Sequence, residues 1–243
     1  MPLLSNIAEL LKDTMLPPLC AVCGSLCETY ICKSCYLQIR PPGSNICIRC
    51  GSFLKHNLPG NNSPYAEYCN LCKNEEYSFY MARSFANYDS AVACIIRKFK
   101  YRKFYYLKDI ILSFLKEAYE YYYSGQKIDF IETVPAYSGI IKGNIKSHMQ
   151  MLMPKLSICL KIPYGDNIIK IKNTLRQQEL GRQSRRINLE NSFKIRHSLK
   201  AARKNILLVD DVFTTGSTLN QISRQLKNAG AHKIYILTVA RGN

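Results

Sequence analysis

The chain has 243 residues, of which 47% are hydrophobic, and a formal net charge of +17 at pH 7. That size and apolar content suit one mid-sized α/β domain with a small appended module, and they exclude global disorder. The longest apolar runs, such as Ile206 to Val209, are strand-sized and too short to span a membrane as a helix.

Met1 to Leu16 mixes Leu and Ile with Glu9, Lys12 and Asp13, the pattern of a short amphipathic helix. It lacks the basic start and unbroken apolar stretch of a secretory signal, which predicts a cytoplasmic protein with no membrane span. Residues 20–72 hold paired cysteines among Pro and Gly, a loop-rich segment too small to be held together by apolar burial alone. From Tyr77 onward, aromatic and aliphatic runs take over. This places a boundary between residues 1–76 and 77–243. A strand is predicted over Ala82 to Tyr88, a helix over Ser90 to Phe99, and a second helix over Tyr106 to Tyr123. Ile128 to Val134 reads as a buried strand ending at Pro135. Lys146 to Leu160 reads as a helix that Pro154 kinks or splits. Thr174 to Arg203 is polar and Arg/Gln-rich and is expected to be mobile in part. The chain closes on a strand (Asn205–Val209), a loop (Asp210–Ser217), a helix (Thr218–Ala229) and a strand (Lys233–Ala240).

Of the 11 cysteines, eight form C-x-x-C pairs: Cys20/Cys23, Cys32/Cys35, Cys47/Cys50 and Cys69/Cys72. Such a pair turns two sulfurs toward one point and supplies half of a tetrahedral zinc shell. The spacings C-x2-C-x8-C-x2-C and C-x2-C-x18-C-x2-C suit two sequential zinc ribbons, and an interleaved pairing satisfies them as well. Four thiolates close each shell, which makes the zinc structural. Cys27, Cys94 and Cys159 read as small buried hydrophobes.

Charge points to a polyanionic partner, although Lys enrichment also follows from an AT-rich genome. The most informative segment runs from Asn205 to Leu219, Asn-Ile-Leu-Leu-Val-Asp-Asp-Val-Phe-Thr-Thr-Gly-Ser-Thr-Leu. Four aliphatics suit a central parallel strand. Asp210 and Asp211 follow where the strand emerges, and are expected to be exposed carboxylates suited to ribose hydroxyls. Thr214, Thr215, Gly216, Ser217 and Thr218 then offer hydroxyls and unpaired backbone N–H groups at a helix start, a fit for a phosphate monoester. No Walker or dinucleotide fingerprint occurs.

At these residues the chain resembles the type I phosphoribosyltransferases, and as a whole it is similar to the ComF family, whose members join an N-terminal zinc ribbon to such a domain. The similarity rests on the cysteine pairs, Ile95–Tyr101, Val134-Pro135, Thr174–Phe193, the phosphate loop and the closing Val239-Ala240-Arg241. It implies a mostly parallel α/β sheet flanked by helices that binds phosphoribosyl pyrophosphate (PRPP) with Mg²⁺, and a place in DNA uptake during natural transformation. One element departs. The family's Arg-Gly-Phe-Asn-Gln stretch is Lys142-Gly143-Asn144-Ile145-Lys146-Ser147-His148-Met149-Gln150 here. Lys142 is the basic residue expected beside pyrophosphate. Thr214 stands where purine-salvage members carry an Asp, and threonine is no general base near neutral pH, which argues against purine salvage.

Two readings of function follow. In one the domain binds PRPP without a catalytic role while the protein handles single-stranded DNA alongside uptake or helicase proteins. In the other it transfers phosphoribosyl groups in nucleotide metabolism. The candidate DNA surface is Arg97, Lys98, Lys100, Arg102 and Lys103 interleaved with Phe99, Tyr101, Phe104, Tyr105 and Tyr106, cations for phosphates and aromatics for bases. A helix with a solvated basic face and a core-facing aromatic face explains the same pattern.

Overall fold

The computed structural model describes residues 17–54, 67–101, 105–135, 147–171, 192–196 and 201–242. Two single-turn helices, α1 (Lys33–Leu37) and α2 (Asn70–Asn74), each carry the second half of a cysteine set. A four-stranded, wholly parallel sheet follows, built from β1 (Met81–Asn87), β2 (Phe130–Thr133), β5 (Asn205–Phe213) and β6 (Lys233–Arg241) in the order β1-β6-β5-β2. A small antiparallel pair, β3 (Ile168–Lys170) and β4 (Phe193–Ile195), stands apart from it.

Period-two alternation in the central strands builds a core on each face. Leu207 and Val209 of β5 pack with Tyr235, Leu237 and Val239 of β6 against α3 (Ser90–Tyr101), α4 (Lys108–Tyr123) and α5 (His148–Leu160). Ile206 and Leu208 pack with Ile234 and Ile236 against α6 (Ser217–Asn228), whose Leu219, Ile222 and Leu226 form its apolar stripe. The central strands are therefore covered by helices on both sides, as a parallel sheet requires.

The element boundaries correct several expectations. The helix expected from Tyr106 opens instead as a 3-10 turn at Tyr105–Leu107 and becomes α-helical at Lys108. Helix α5 starts at His148 because Ser147 and Gln150 close a capping box before it. It runs unbroken through Pro154. Losing one helical hydrogen bond costs about 3 kcal/mol, whereas burying each of Met149, Leu152, Met153 and Leu156 is worth about 1.5–3 kcal/mol. Strand β5 does not stop at Val209. It continues to Phe213, with Asp210, Val212 and Phe213 paired to Thr238, Ala240 and Arg241. Ladder hydrogen bonds depend on the backbone and not on side-chain polarity, so two acids do not end a strand whose neighbour is equally long. Within the stretch expected to be polar and mobile, Phe193 is buried and anchors β4; residues 174–191 and 197–200 lie outside the described residues.

Both cysteine sets sit on this body. Ala21 and Ile39 belong to the first core, Cys47 and Cys50 to the second. No helix among the described residues is long and apolar enough to cross a membrane.

Candidate functional site

Asp211 is the most constrained polar group of the site. It lies 7% exposed near the C-terminal end of β5. Its Oδ2 meets Lys100 Nζ at 2.5 Å and His148 Nε2 at 3.0 Å. Lys100 comes from the last turn of α3 and His148 from the first residue of α5. Phe99 presses edge-on against the imidazole at 5.5 Å and limits its rotation. Burial works to raise the Asp211 pKa, but the hydrogen bond from His148 and the charge of Lys100 outweigh it and hold the carboxyl below its ordinary range. Asp210 has the opposite environment. Burial, then the charge of Asp211, push it up to about 7, and its Oδ1 accepts the Asp211 N–H at 2.9 Å. One acid already has its counter-charges and the other is poised to gain one. The expectation of two exposed carboxylates is thus corrected: continuing the strand buries Asp211 and leaves Asp210 half-buried.

Beyond Phe213 the chain turns into α6 through Thr214, Thr215 and Gly216. Gly216 is the N-cap of α6 in a left-handed conformation (φ 73°), and a Cβ on it would lie 2.5 Å from the Phe213 ring. Only glycine fits there. A glycine cap brings no side chain of its own to the first turn of α6, unlike a Ser/Thr/Asp cap, and the Ser217 N–H there donates to Thr215 Oγ1 at 3.3 Å. Thr215 Oγ1 and Ser217 Oγ lie 2.8 Å apart, placing two hydroxyls beside the helix start. Amides, hydroxyls and the positive end of the helix dipole converge where a phosphate monoester binds well. Thr214 is exposed; Thr218 stands in the first turn of α6.

The cysteines resolve into sequential sets, Cys20/Cys23/Cys32/Cys35 and Cys47/Cys50/Cys69/Cys72, with all sulfurs of a set within 4.8 Å of one another. Cys23 and Cys32 Sγ are 3.7 Å apart, Cys50 and Cys69 Sγ 3.6 Å. Tetrahedral zinc with bonds of about 2.3 Å separates sulfurs by about 3.8 Å, so both sets fit the metal. Each set holds thiols that ionise readily: in the first, burial works to raise Cys20 but hydrogen bonds led by the Cys32 amide bring it below its ordinary value. The Ser34 hydroxyl and the Cys35 amide bring Cys32 down to about 6, while hydrogen bonds from Cys50 and Cys72 hold Cys47 far below the ordinary thiol range. The interleaved pairing is not what the chain adopts. Cys159 is exposed, and Cys27 and Cys94 are half-buried, so none of the three is a fully buried hydrophobe.

Of the expected DNA-facing residues, the side chains of Arg97, Lys98, Phe99, Lys100 and Tyr106 are described. Phe99 is buried in the first core. Lys98 Nζ turns to the Ala21 carbonyl, 2.5 Å away in the first knuckle, and Lys100 turns to Asp211. Arg97 is exposed, its Nε donating to Ala93 O at 3.2 Å. Arg102, Lys103, Phe104, Lys142 and the Tyr101 and Tyr105 side chains lie outside the described residues. Sequence reasoning gave no role to His148 or to an inward-turned Lys100. The only sequence signal for His148 was its place in the element that departs from the family pattern.

A phosphoribosyltransferase-like domain behind a double zinc ribbon is the class these features define. The phosphoribosyl transferase domain family matches residues 147–243 and the double zinc ribbon domain family matches residues 11–73. Competence protein F of Haemophilus influenzae is 30% identical over 216 residues, covering 87% of this chain and 90% of that protein. Competence protein ComFC of Streptococcus pneumoniae is 23% identical, covering 91% and 99%; the DNA utilization protein YhgH of Escherichia coli O157:H7 is 25% identical, covering 93% and 97%. The chain belongs to the ComF family.

Two outcomes are expected. Metal analysis of reduced protein purified without chelator returns about two zinc ions per chain, and Cys23→Ser or Cys69→Ser each removes one. Asp211→Asn strands Lys100 and His148 without their anion, and thermal unfolding should show a loss on the order of 3 kcal/mol.

Proposed function

We propose that this chain binds PRPP with Mg²⁺ at the β5–α6 loop, and that it works in the cytoplasm on single-stranded DNA during uptake. The observation that carries the reading is the glycine-capped N-terminus of α6 beside two partly desolvated carboxylates of opposite electrostatic character. In this reading the 5′-phosphate rests on the amides and hydroxyls of Thr214 to Thr218. The ribose hydroxyls face Asp210 and Asp211. Lys100 and His148 keep the Asp211 carboxylate ionised and aimed, while Asp210 ionises fully when a cation arrives with the ligand. Bound Mg²⁺ supplies charge neutralisation for the diphosphate. Lys142 is assigned to the same anion by its sequence position. The setting of DNA uptake is supported by relatives called competence and DNA utilization proteins, matched along nearly their whole length.

Titration calorimetry with PRPP and Mg²⁺ should show saturable binding that falls at least about tenfold in Asp210→Asn, the scale of one charge-assisted hydrogen bond. Asp210 holds no ion pair among the described residues, so the thermal midpoint of the variant should stay near that of wild type. Equal binding by Asp210→Asn would mean that the ligand is misassigned.

For DNA, the protein should bind single strands with little sequence preference. Replacing Arg97, Arg102 and Lys103 by Ala should flatten the log–log salt dependence by about 0.7 for each phosphate no longer neutralised. Tyr101→Ala with Tyr105→Ala should weaken binding with the slope unchanged. Failure of the wild type to bind single strands at low salt would assign the net charge to composition alone.

A further inference from the structure

The second knuckle touches the phosphate loop through two residues that have no part in the ligand contacts proposed for PRPP. Arg241 ends β6 and is 6% exposed. Its Nη1 donates to the carbonyls of Phe213 (3.1 Å) and Thr214 (2.5 Å), and its Nη2 reaches Cys50 Sγ at 3.8 Å. The guanidinium carbon lies 4.3 Å from the centre of the Phe213 ring. Tyr77 makes the parallel link. Its Oη donates to the Thr215 carbonyl at 3.2 Å, and its own carbonyl accepts from Arg49 Nη1 at 3.0 Å, where Arg49 lies between Cys47 and Cys50. Edge-on packing of Phe79 against Phe213 at 5.8 Å fills the space between the two links.

Three consecutive carbonyls, those of Phe213, Thr214 and Thr215, are therefore held from the knuckle side. In a planar trans peptide the C=O and the following N–H point in opposite directions. Holding these carbonyls turns the N–H groups of Thr214, Thr215 and Gly216 away from the knuckle. The left-handed Gly216 then leads the chain into α6. Successive N–H groups arranged this way form an anion-binding concavity. The knuckle is itself braced on the sheet: the Ala82 N–H donates to Arg49 O at 2.7 Å, and a Cβ on Gly51 would stand 2.9 Å from Ala82 O. The first knuckle has its contacts elsewhere, with Ala21 O receiving Lys98 Nζ and Cys94 Sγ.

We propose that Arg241 and Tyr77 are positioning residues that fix the phosphate loop by its carbonyls, and that the Cys47/Cys50/Cys69/Cys72 knuckle is the frame on which they are braced. Filling that knuckle with zinc then raises the loop's affinity for a phosphate monoester. Cys50, held as a metal-bound thiolate, is the anion that anchors the far side of the Arg241 guanidinium. The inference rests on the reading of Thr214 to Thr218 as the 5′-phosphate site.

The test uses the full-length, zinc-loaded protein, with ribose 5-phosphate and Mg²⁺–PRPP as probes. Arg241→Lys keeps the charge and loses the fork, and should weaken both probes about tenfold. Tyr77→Phe removes one neutral hydrogen bond and should weaken them about fivefold. Both variants should keep two zinc ions, while amide exchange at Thr214 to Gly216 becomes faster. Cys69→Ser should lose one zinc and bind about as weakly as Arg241→Lys, and combining the two should add little, as expected for residues acting through one link. Cys23→Ser, which empties the first knuckle, should bind both probes like wild type. Wild-type affinity in both Arg241→Lys and Tyr77→Phe overturns the positioning role. Wild-type affinity in Cys69→Ser after its zinc is lost, or an equal loss in Cys23→Ser, overturns the role of the second knuckle. A wild-type protein that binds neither probe overturns the phosphate-loop reading itself, and this inference with it.

Discussion

A carboxylate at the end of a strand covered on both faces is tolerated only where cations come to meet it. Asp211 is such a group, and much of the site's arrangement follows from satisfying it. Lys100 must approach from the last turn of α3 and His148 from the first residue of α5, so these two helices are pinned at one oxygen atom. The Ser147–Gln150 capping box sets where α5 begins and thereby where the imidazole stands. Asp210, one residue back, faces the other side of the strand and has no such ion pair among the described residues, which is why two adjacent acids of one sequence motif shift in opposite directions.

The knuckles illustrate how a segment too small to build its own core acquires one. Metal sets each local turn, and the surrounding residues are then buried against the α/β body: Ala21 and Ile39 on one face, Cys47 and Cys50 on the other. Backbone contacts from Arg49 to Ala82 and a glycine at position 51 that admits no side chain bring the second knuckle directly onto the first strand of the sheet. Its position there lets Arg241, the last residue of β6, lie between a cysteine sulfur and the loop that begins α6.

The high positive charge has a different meaning in the folded chain than in the sequence. Lys98 serves a carbonyl of the first knuckle, Lys100 serves Asp211, and Arg241 is buried beneath the loop. Cations that look like a basic patch along the chain are in part internal supports. A DNA-facing surface on α3 therefore has fewer free charges than its composition suggests, with Arg97 as its exposed arginine among the described residues.

The cysteine pairs, the buried β5 strand, the β5–α6 loop with its glycine and the family were all legible in the sequence. Each is written in consecutive residues or short fixed spacings, where local geometry alone dictates the chemistry. Two C-x-x-C turns make a zinc shell, and only glycine accepts φ 73° against the Phe213 ring. The pairing of the knuckles, the depth of Asp210 and Asp211, the inward turn of Lys98 and Lys100, and the parts played by His148, Tyr77 and Arg241 were decided by tertiary structure. Lys100 and Asp211 are 111 positions apart, Tyr77 and Thr215 138, and Arg241 and Cys50 191. Contacts at such separations exist only once the parallel sheet has brought its C-terminal edges together, and they leave no periodicity or spacing along the chain from which they could be read.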